Sequence, residues 1–358
     1  MISNKLFGTT HDDTSTSFKT LIEGCSFGQF RVSTDYPVDI SQHLSAEGVI
    51  DVNIGISLEE DRLSLTSSAQ FAVEEKIGYP LSIFHHVLTI FEGCYSNDCG
   101  YGAFAYSSGI ISGYIGDYWS YPSVVVHEIG HNLNLHVSYE RVVLLLCLHS
   151  IQSNLTLLLF PLSKHSGGMD GGQYNDRTCL MGQYSTNDKA MCFNPAKSFQ
   201  LARGGNNWYN ENNSDTIVWN SGTRGGTSWS GHIIGIADYQ NNPNQRPVVV
   251  KLESGKADDL FVGFNRAAGV NRDVSEARNQ VTVVQAGGDG LTFSQSYLKA
   301  ILSEDESYVV SDWRGTGLDM TIHVKEINLL TSPAYADVSM FLELGTAVPT
   351  YSPTLVSI

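Results

Sequence analysis

Two histidines and a glutamate stand at the spacing of a metal site in the segment VVVHEIGHNLNLH, residues 124–136. They are His127, Glu128 and His131, which form the pattern HExxH. Residues four apart lie on one face of a helix, where two imidazoles can bind one metal ion. Glu128 follows the first imidazole, and its carboxylate can accept a proton from a water that the metal activates. This combination indicates zinc-assisted hydrolysis.

A catalytic zinc ion usually has three protein ligands and one open position. A longer form of the pattern, HExxHxxGxxH, places the third ligand six residues after the second histidine. That position is Val137 here, and valine cannot bind a metal. His136 lies one residue earlier and is one candidate for the missing ligand.

Residues 137–164 differ from the sequence around them, because leucine is dense inside them and sparse before them. Polar residues such as His149 and Asn154 interrupt the run, so it is weak as a membrane span. One interpretation is a buried helical hairpin inserted after the motif. Another comes from the genetic code: Val-Ser can be encoded by GTAAGT, a splice donor. A Leu/Phe/Pro/Ser-rich end is what a pyrimidine tract encodes, and Lys164 as AAG supplies a terminal AG. We therefore hypothesise that this insert is a retained intron.

Removal of the insert joins His136 directly to His165, which then falls six residues after His131. The spacing of the longer pattern is thereby restored. Asn134 takes the position where the pattern has glycine, and asparagine is the next most tolerant residue for a left-handed turn. We predict His165 as the third ligand and keep His136 as the alternative.

A methionine in a turn shortly after the third ligand accompanies this pattern. The segment YNDRTCLMGQYS, residues 174–185, contains Met181, which we expect to pack beneath the metal without binding it. Tyr184 in the same segment is a candidate for stabilising an oxyanion.

Composition limits the classes of function. A chain of 358 residues with 42% apolar residues is expected to be globular and to hold two domains. Its net charge of −16 argues against nucleic acid as a partner, since phosphate binding needs clustered Lys and Arg. The N-terminus shows no apolar signal-peptide core, so we expect either a cytosolic chain or one that lacks its leader.

Six cysteines are few for a disulfide scaffold. Cys94 and Cys99 bracket a tight loop and can close it as a local disulfide. Cys179 and Cys192 can form a second one. The alternative is that these residues are free buried thiols.

Periodicity predicts an α+β fold. We expect strands at 26–33, 48–56 and 85–93 and a helix over 59–78 that ends at Gly78. Ser123 is the expected N-cap of the motif helix, and the β-branched residues 124–126 require burial to hold that helix in place.

The predicted organisation has two domains and a tail. Residues 1–203 form a catalytic domain, which we expect to close with a helix over 190–202. Residues 204–345 contain recurring short strands that suggest a β-sandwich-like C-terminal domain. Residues 346–358 resemble the start of a Pro/Ser/Thr-rich linker.

The chain resembles the gametolysin family of metzincin-like metallopeptidases, particularly its diatom-like members. The likeness is carried by HEIGHNLNL, HSGGMDG and TCLMG, and downstream by ADYQNNPNQRPVVVKLESG and DDLFVGFNRAAGVN. It covers most of residues 5–345 and excludes 137–164. The resemblance implies a metzincin-like catalytic domain in which His127, His131 and His165 bind Zn2+ and Glu128 is the catalytic base. Family members are secreted proteases of algal cell-wall glycoproteins and are made with a leader and often a pro-segment, and we expect this chain to lack both.

The expected function is therefore zinc-dependent endopeptidase activity on extracellular or cell-wall glycoproteins, through attack of a zinc-bound water assisted by Glu128. We expect a monomer with no membrane span and no nucleic-acid partner. A strand near residues 102–108 is expected to hold substrate in an extended form. The alternative is a catalytically impaired homologue that binds matrix glycoprotein or glycans, because a translated insert displaces His165 in the sequence.

The retained-intron hypothesis is tested on the transcript. We expect sequencing across codons 130–170 to find a mature message that lacks the 28 codons of residues 137–164. A mature message that keeps all of these codons under every condition would contradict the hypothesis.

Overall fold

The computed structural model describes residues 2–8, 16–33, 36–94, 102–106, 109–133, 135, 166–167, 176–182, 189–203, 216–219, 227–287 and 295–344. These residues form helices and largely antiparallel sheets, so the fold is α+β as predicted. The helices are α1 (Ile2–Phe7), α2 (Phe18–Cys25), α3 (Val38–Ser41), α4 (Arg62–Ile77), α5 (Pro122–Asn132) and α6 (Pro195–Arg203). The strands are β1 (Val87–Phe91), β2 (Ala103–Ala105), β3 (Ile111–Ile115), β4 (Ser166–Gly167), β5 (Thr216–Trp219), β6 (Ser228–Ile234), β7 (Val249–Leu252), β8 (Asp258–Asn265), β9 (Gln280–Gly287), β10 (Ser296–Leu302), β11 (Ser307–Val310), β12 (Leu318–Asn328) and β13 (Tyr335–Leu344).

Helix α4 matches the predicted helix because its ends carry strong local signals. The side chain of Asp61 accepts the N–H of Ser64 at 2.9 Å and caps the first turn. Gly78 ends the helix in the left-handed conformation, with φ of 75°, which glycine adopts without a Cβ penalty.

A sheet ordered β1-β3-β2 supports helix α5. β1 and β3 are parallel, while β2 runs antiparallel to β3. Tyr114 and the partly buried Ala103 pack in the same core cluster as the valines of α5. Phe104 points the other way and packs against Leu65 of α4. The sheet therefore lies between the two helices.

The C-terminal strands form two sheets that face each other. One is ordered β4-β10-β9-β8-β7-β5 and the other β11-β12-β13-β6. They share a buried cluster to which Val262 of β8, Ile322 of β12 and Val338 of β13 belong. Residues on β13 alternate between this core and the outer face, as expected for a strand of a β-sandwich.

A single apolar cluster crosses the predicted domain boundary. It contains Val125 and Ile129 of α5 together with Val249, Phe261 and Leu298 of the C-terminal sheet. Residues 204–215, where we placed the boundary, lie outside the described part of the chain, so the boundary stays a prediction. Within the described ranges, no helix has the length and apolarity that crossing a membrane requires.

The strands predicted at 26–33 and 48–56 are wrong. Phe27 and Gly28 have φ of 55° and 69°, which breaks an extended path directly after α2. Gly48 and Gly55 also have positive φ, and the second segment forms turns with one isolated bridge. In both segments, residues in the left-handed conformation therefore prevent an extended strand, although apolar residues alternate along the sequence.

The predicted N-cap of the motif helix is also wrong. Ser123 lies inside α5, whose N-cap is Tyr121. Pro122 takes the first helical position, where its fixed φ and missing N–H fit. The predicted burial is confirmed, since Val124, Val125 and Val126 are fully buried.

The predicted pairing of Cys179 with Cys192 is wrong. Cys192 forms a disulfide with Cys25 across 167 residues of sequence, and the buried Cys179 does not take part in it. Spacing along the chain does not decide pairing, because the fold determines which Cβ atoms come within reach. Cys94 is disulfide-bonded; its predicted partner, Cys99, lies outside the described residues.

The disulfide gives a direct test of this fold. Non-reducing peptide mapping should join the peptides of Cys25 and Cys192, and Cys179 should be alkylated after denaturation. Because the bond closes a long loop, the double substitution Cys25→Ala/Cys192→Ala should lower the free energy of unfolding by about 2–5 kcal/mol, measured by urea titration. A bond between Cys179 and Cys192 would contradict the structure.

Candidate metal centre

Helix α5 brings His127 and His131 together in the interior. Their ring centroids lie 4.9 Å apart with the ring planes perpendicular. The exposed fractions of the two residues are only 2% and 5%. The spacing of one helical turn thus places two imidazoles side by side in a site that water barely reaches.

Main-chain carbonyls fix the tautomer of both rings. His127 Nδ1 lies 2.8 Å from the Leu180 carbonyl oxygen, and His131 Nδ1 lies 3.2 Å from that of Leu135. A carbonyl oxygen only accepts, so each Nδ1 carries the proton and donates it. A ring that is neutral and held in this way has its lone pair on Nε2. This is the arrangement found in histidines that bind metals, so the two side chains fit a zinc ion.

Burial controls the charges at the centre. It lowers the pKa of His127 to about 4, which keeps the ring neutral and able to bind a metal at neutral pH. Burial also raises the pKa of Glu128 to about 8, against a smaller lowering by the positive charge of Arg62. A cation in the site would favour the ionised form of Glu128.

Met181 packs beneath the motif helix. It is fully buried, and its Sδ would lie 2.5 Å from a Cβ built on Gly130. Only a residue without a side chain at position 130 leaves room for this sulfur. The structure therefore places Met181 against the helix turn between the two histidines.

The candidates for the third ligand, His165 and His136, lie outside the described residues, as does Tyr184. Strand β4 follows His165 directly and pairs in parallel with β10. In the ranges that are described, no group of three or more His, Cys, Asp or Glu side chains is placed to hold a metal. The structure therefore describes the two-histidine part of the site, and the third ligand stays a prediction.

Asn132 is a residue of this region that sequence reasoning missed. Its side-chain amide donates to the carbonyls of Tyr106 and Ile111, at 2.9 and 3.0 Å. These carbonyls flank the connection between β2 and β3, so the residue next to His131 ties the motif helix to that connection. Its position beside a predicted ligand was the available signal, because sequence does not identify a main-chain acceptor.

Arg62 is a second residue that the sequence did not single out. Its guanidinium carbon lies 4.8 Å from the centroid of the Phe104 ring on β2. Arg62 begins α4, so this cation–π contact brings a positive charge to the sheet that supports the motif helix.

No protein-family model, curated protein or solved structure matches this chain. The resemblance to the gametolysin family therefore stays a prediction that rests on the quoted motifs.

The pKa of Glu128 predicts a pH dependence for the metal-free protein. With its raised pKa, Glu128 holds a proton in the folded state up to about pH 8, whereas the unfolded chain releases that proton near the ordinary pKa of 4.5. The free energy of unfolding therefore decreases as pH rises through this interval. The lowered pKa of His127 has the opposite effect, but only between about pH 4 and the ordinary histidine pKa of 6.5.

Between pH 6.5 and 8, Glu128 should affect the free energy of unfolding without the opposing effect of His127. In EDTA, the free energy of unfolding of the wild type should fall by about 2 kcal/mol more across this range than that of Glu128→Gln. Urea titrations at several pH values measure both proteins. Equal slopes in the two proteins would show that Glu128 is not held protonated by burial.

Proposed function

We propose that this chain is a zinc-dependent endopeptidase. One observation carries the proposal: two buried histidines on one helix each donate Nδ1–H to a carbonyl, which leaves both lone pairs on Nε2. A buried glutamate follows the first of these histidines. This is the residue set that metal-assisted hydrolysis needs.

Each residue has a distinct role. His127 and His131 would hold the metal, with His165 proposed as the third ligand. Zinc, when bound, supplies a Lewis acid that polarises the scissile carbonyl and lowers the pKa of water toward about 7. Glu128 accepts the proton of the attacking water and donates it to the leaving amine nitrogen.

Strand β2 is proposed to orient the substrate. Among the described strands it lies at the edge of its sheet and packs next to α5. An extended peptide can hydrogen-bond to such an edge, which brings its scissile bond alongside the helix. The bonds of Asn132 to Tyr106 and Ile111 hold the connection that follows β2 against the end of the motif helix.

The proposed substrates are extracellular or cell-wall proteins, including glycoproteins. The disulfide between Cys25 and Cys192 supports this setting, since such bonds persist mainly in oxidising compartments. The strong net negative charge favours protein substrates over nucleic acid.

Substitution of the base separates catalysis from metal binding. Glu128→Ala should reduce the rate of casein cleavage by about 10²–10⁴-fold, because the proton acceptor is lost. The variant should still bind one zinc ion per chain, since both histidines remain, and His127→Ala should lose the metal. Cleavage assays and elemental analysis measure the two quantities.

Glu75→Ala is the matched control, because Glu75 is exposed on α4. It should keep both activity and zinc. Cleavage at the wild-type rate by Glu128→Ala would refute the assignment of the base. The same assays on a chain without residues 137–164 measure what the insert does: higher zinc occupancy and activity would identify the full-length chain as impaired.

A further inference from the structure

A buried hydrogen-bond network runs from the turn that holds Met181 toward the C-terminal sheet. It begins at Asp176, which is fully buried. Asp176 Oδ1 accepts the N–H and the hydroxyl of Thr178, and Oδ2 accepts Nδ2–H of Asn194 at 2.9 Å. The carboxylate thereby closes the turn on itself and ties it to the residue before α6.

Asn194 connects this turn to the C-terminal sheet. Its Nδ2 donates a second hydrogen bond, at 3.1 Å, to the hydroxyl oxygen of Ser296 on β10. Its Oδ1 accepts the N–H of Lys197 at 2.9 Å and so caps α6. Both the nitrogen and the oxygen of the Asn194 amide therefore take part in hydrogen bonds, and rotation of the side chain would break several of them.

One end of the network reaches His127. Leu180 lies in the turn that Asp176 closes, and its N–H donates to the Cys192 carbonyl at 2.9 Å. Its carbonyl is the acceptor of His127 Nδ1–H. The turn is tight, since a Cβ on Gly182 would lie 2.2 Å from the Asp176 carbonyl oxygen. A shift of Asp176 would therefore move the acceptor that orients His127.

The other end reaches the segment of the predicted third ligand. Ser296 is fully buried, and it pairs in parallel with Ser166 of β4. Ser166 is the residue directly after His165. Ser296 thus accepts a hydrogen bond from Asn194 with its hydroxyl oxygen. It also pairs through its main chain with β4, the strand next to His165 in the sequence.

We infer that Asp176, Asn194 and Ser296 are positioning residues of the metal site, and that the C-terminal sheet is an integral part of that site. The inference rests on the proposed function. The network joins the turn that orients His127 to Ser296 and its pairing with β4, so it sets the position of the His127 ring. Groups behind metal ligands commonly change metal affinity 10–100-fold when they are removed.

The test measures the zinc dissociation constant of the full-length chain by competition with a chromophoric chelator. Ser296→Ala removes the acceptor for Asn194 and should weaken zinc binding about 10-fold. Asp176→Asn places two amide N–H groups against each other and should weaken it by about 10–100-fold. Circular dichroism and Tm confirm that each variant is folded under the assay conditions.

A reciprocal exchange supplies the rescue. In Asp176→Asn/Asn194→Asp, the amide at 176 donates to the carboxylate at 194, which also accepts from Ser296 and Lys197. The hydrogen bonds of residue 194 to residue 176 and to Ser296 are thereby reformed with donor and acceptor reversed, and those from Thr178 and Lys197 keep their direction. Zinc affinity should therefore return to within about 3-fold of the wild type. Thr282→Val is the matched control, because it removes a buried hydroxyl from β9 of the same sheet and should leave zinc affinity unchanged.

A lower Tm with unchanged zinc affinity in both Ser296→Ala and Asp176→Asn would overturn the inference and leave only a structural network. If Asp176→Asn fails to fold, Ser296→Ala alone decides by the same criterion. A wild-type chain that binds no zinc would overturn the proposed function together with this inference, whereas zinc binding that these variants do not change would overturn the inference alone.

Discussion

The hydrogen bond from His127 Nδ1 to the Leu180 carbonyl joins parts of the chain that are 53 residues apart. It fixes the ring of the first histidine and leaves its lone pair on Nε2. It also sets the distance between the motif helix and the turn that holds Met181. Because a main-chain carbonyl is the acceptor, the geometry depends on the path of that turn and not on a side chain that can rotate.

The surrounding structure keeps this path in place. The N–H of Leu180 donates to the Cys192 carbonyl, and Cys192 is covalently linked to Cys25 in α2. The turn is therefore tied to the N-terminal helix α2. The motif helix is held by burial of its valines against the sheet and α2. Gly130 lets the Met181 sulfur approach closely, so this side chain packs directly against the helix.

Local signals were sufficient for part of this structure. The glycine at 78 and the apolar run at 85–93 were enough to predict α4 and β1, and the HExxH spacing predicted the shared face of His127 and His131. The missed features depend on long-range contacts. The partner of Cys192 is 167 residues away, and the roles of Leu180 and Asn132 use main-chain carbonyls that have no sequence signature. The false strand at 26–33 shows the same limit, because a left-handed Phe27 cannot be read from alternation.

We propose that His127 and His131 bind one zinc ion through Nε2. This is tested by a crystal structure of the zinc-loaded chain with anomalous diffraction data at the zinc edge. We expect one zinc peak within about 2.0–2.1 Å of both Nε2 atoms, with His165 as the third ligand. A zinc peak elsewhere, or rings that present Nδ1 to the metal, would contradict it.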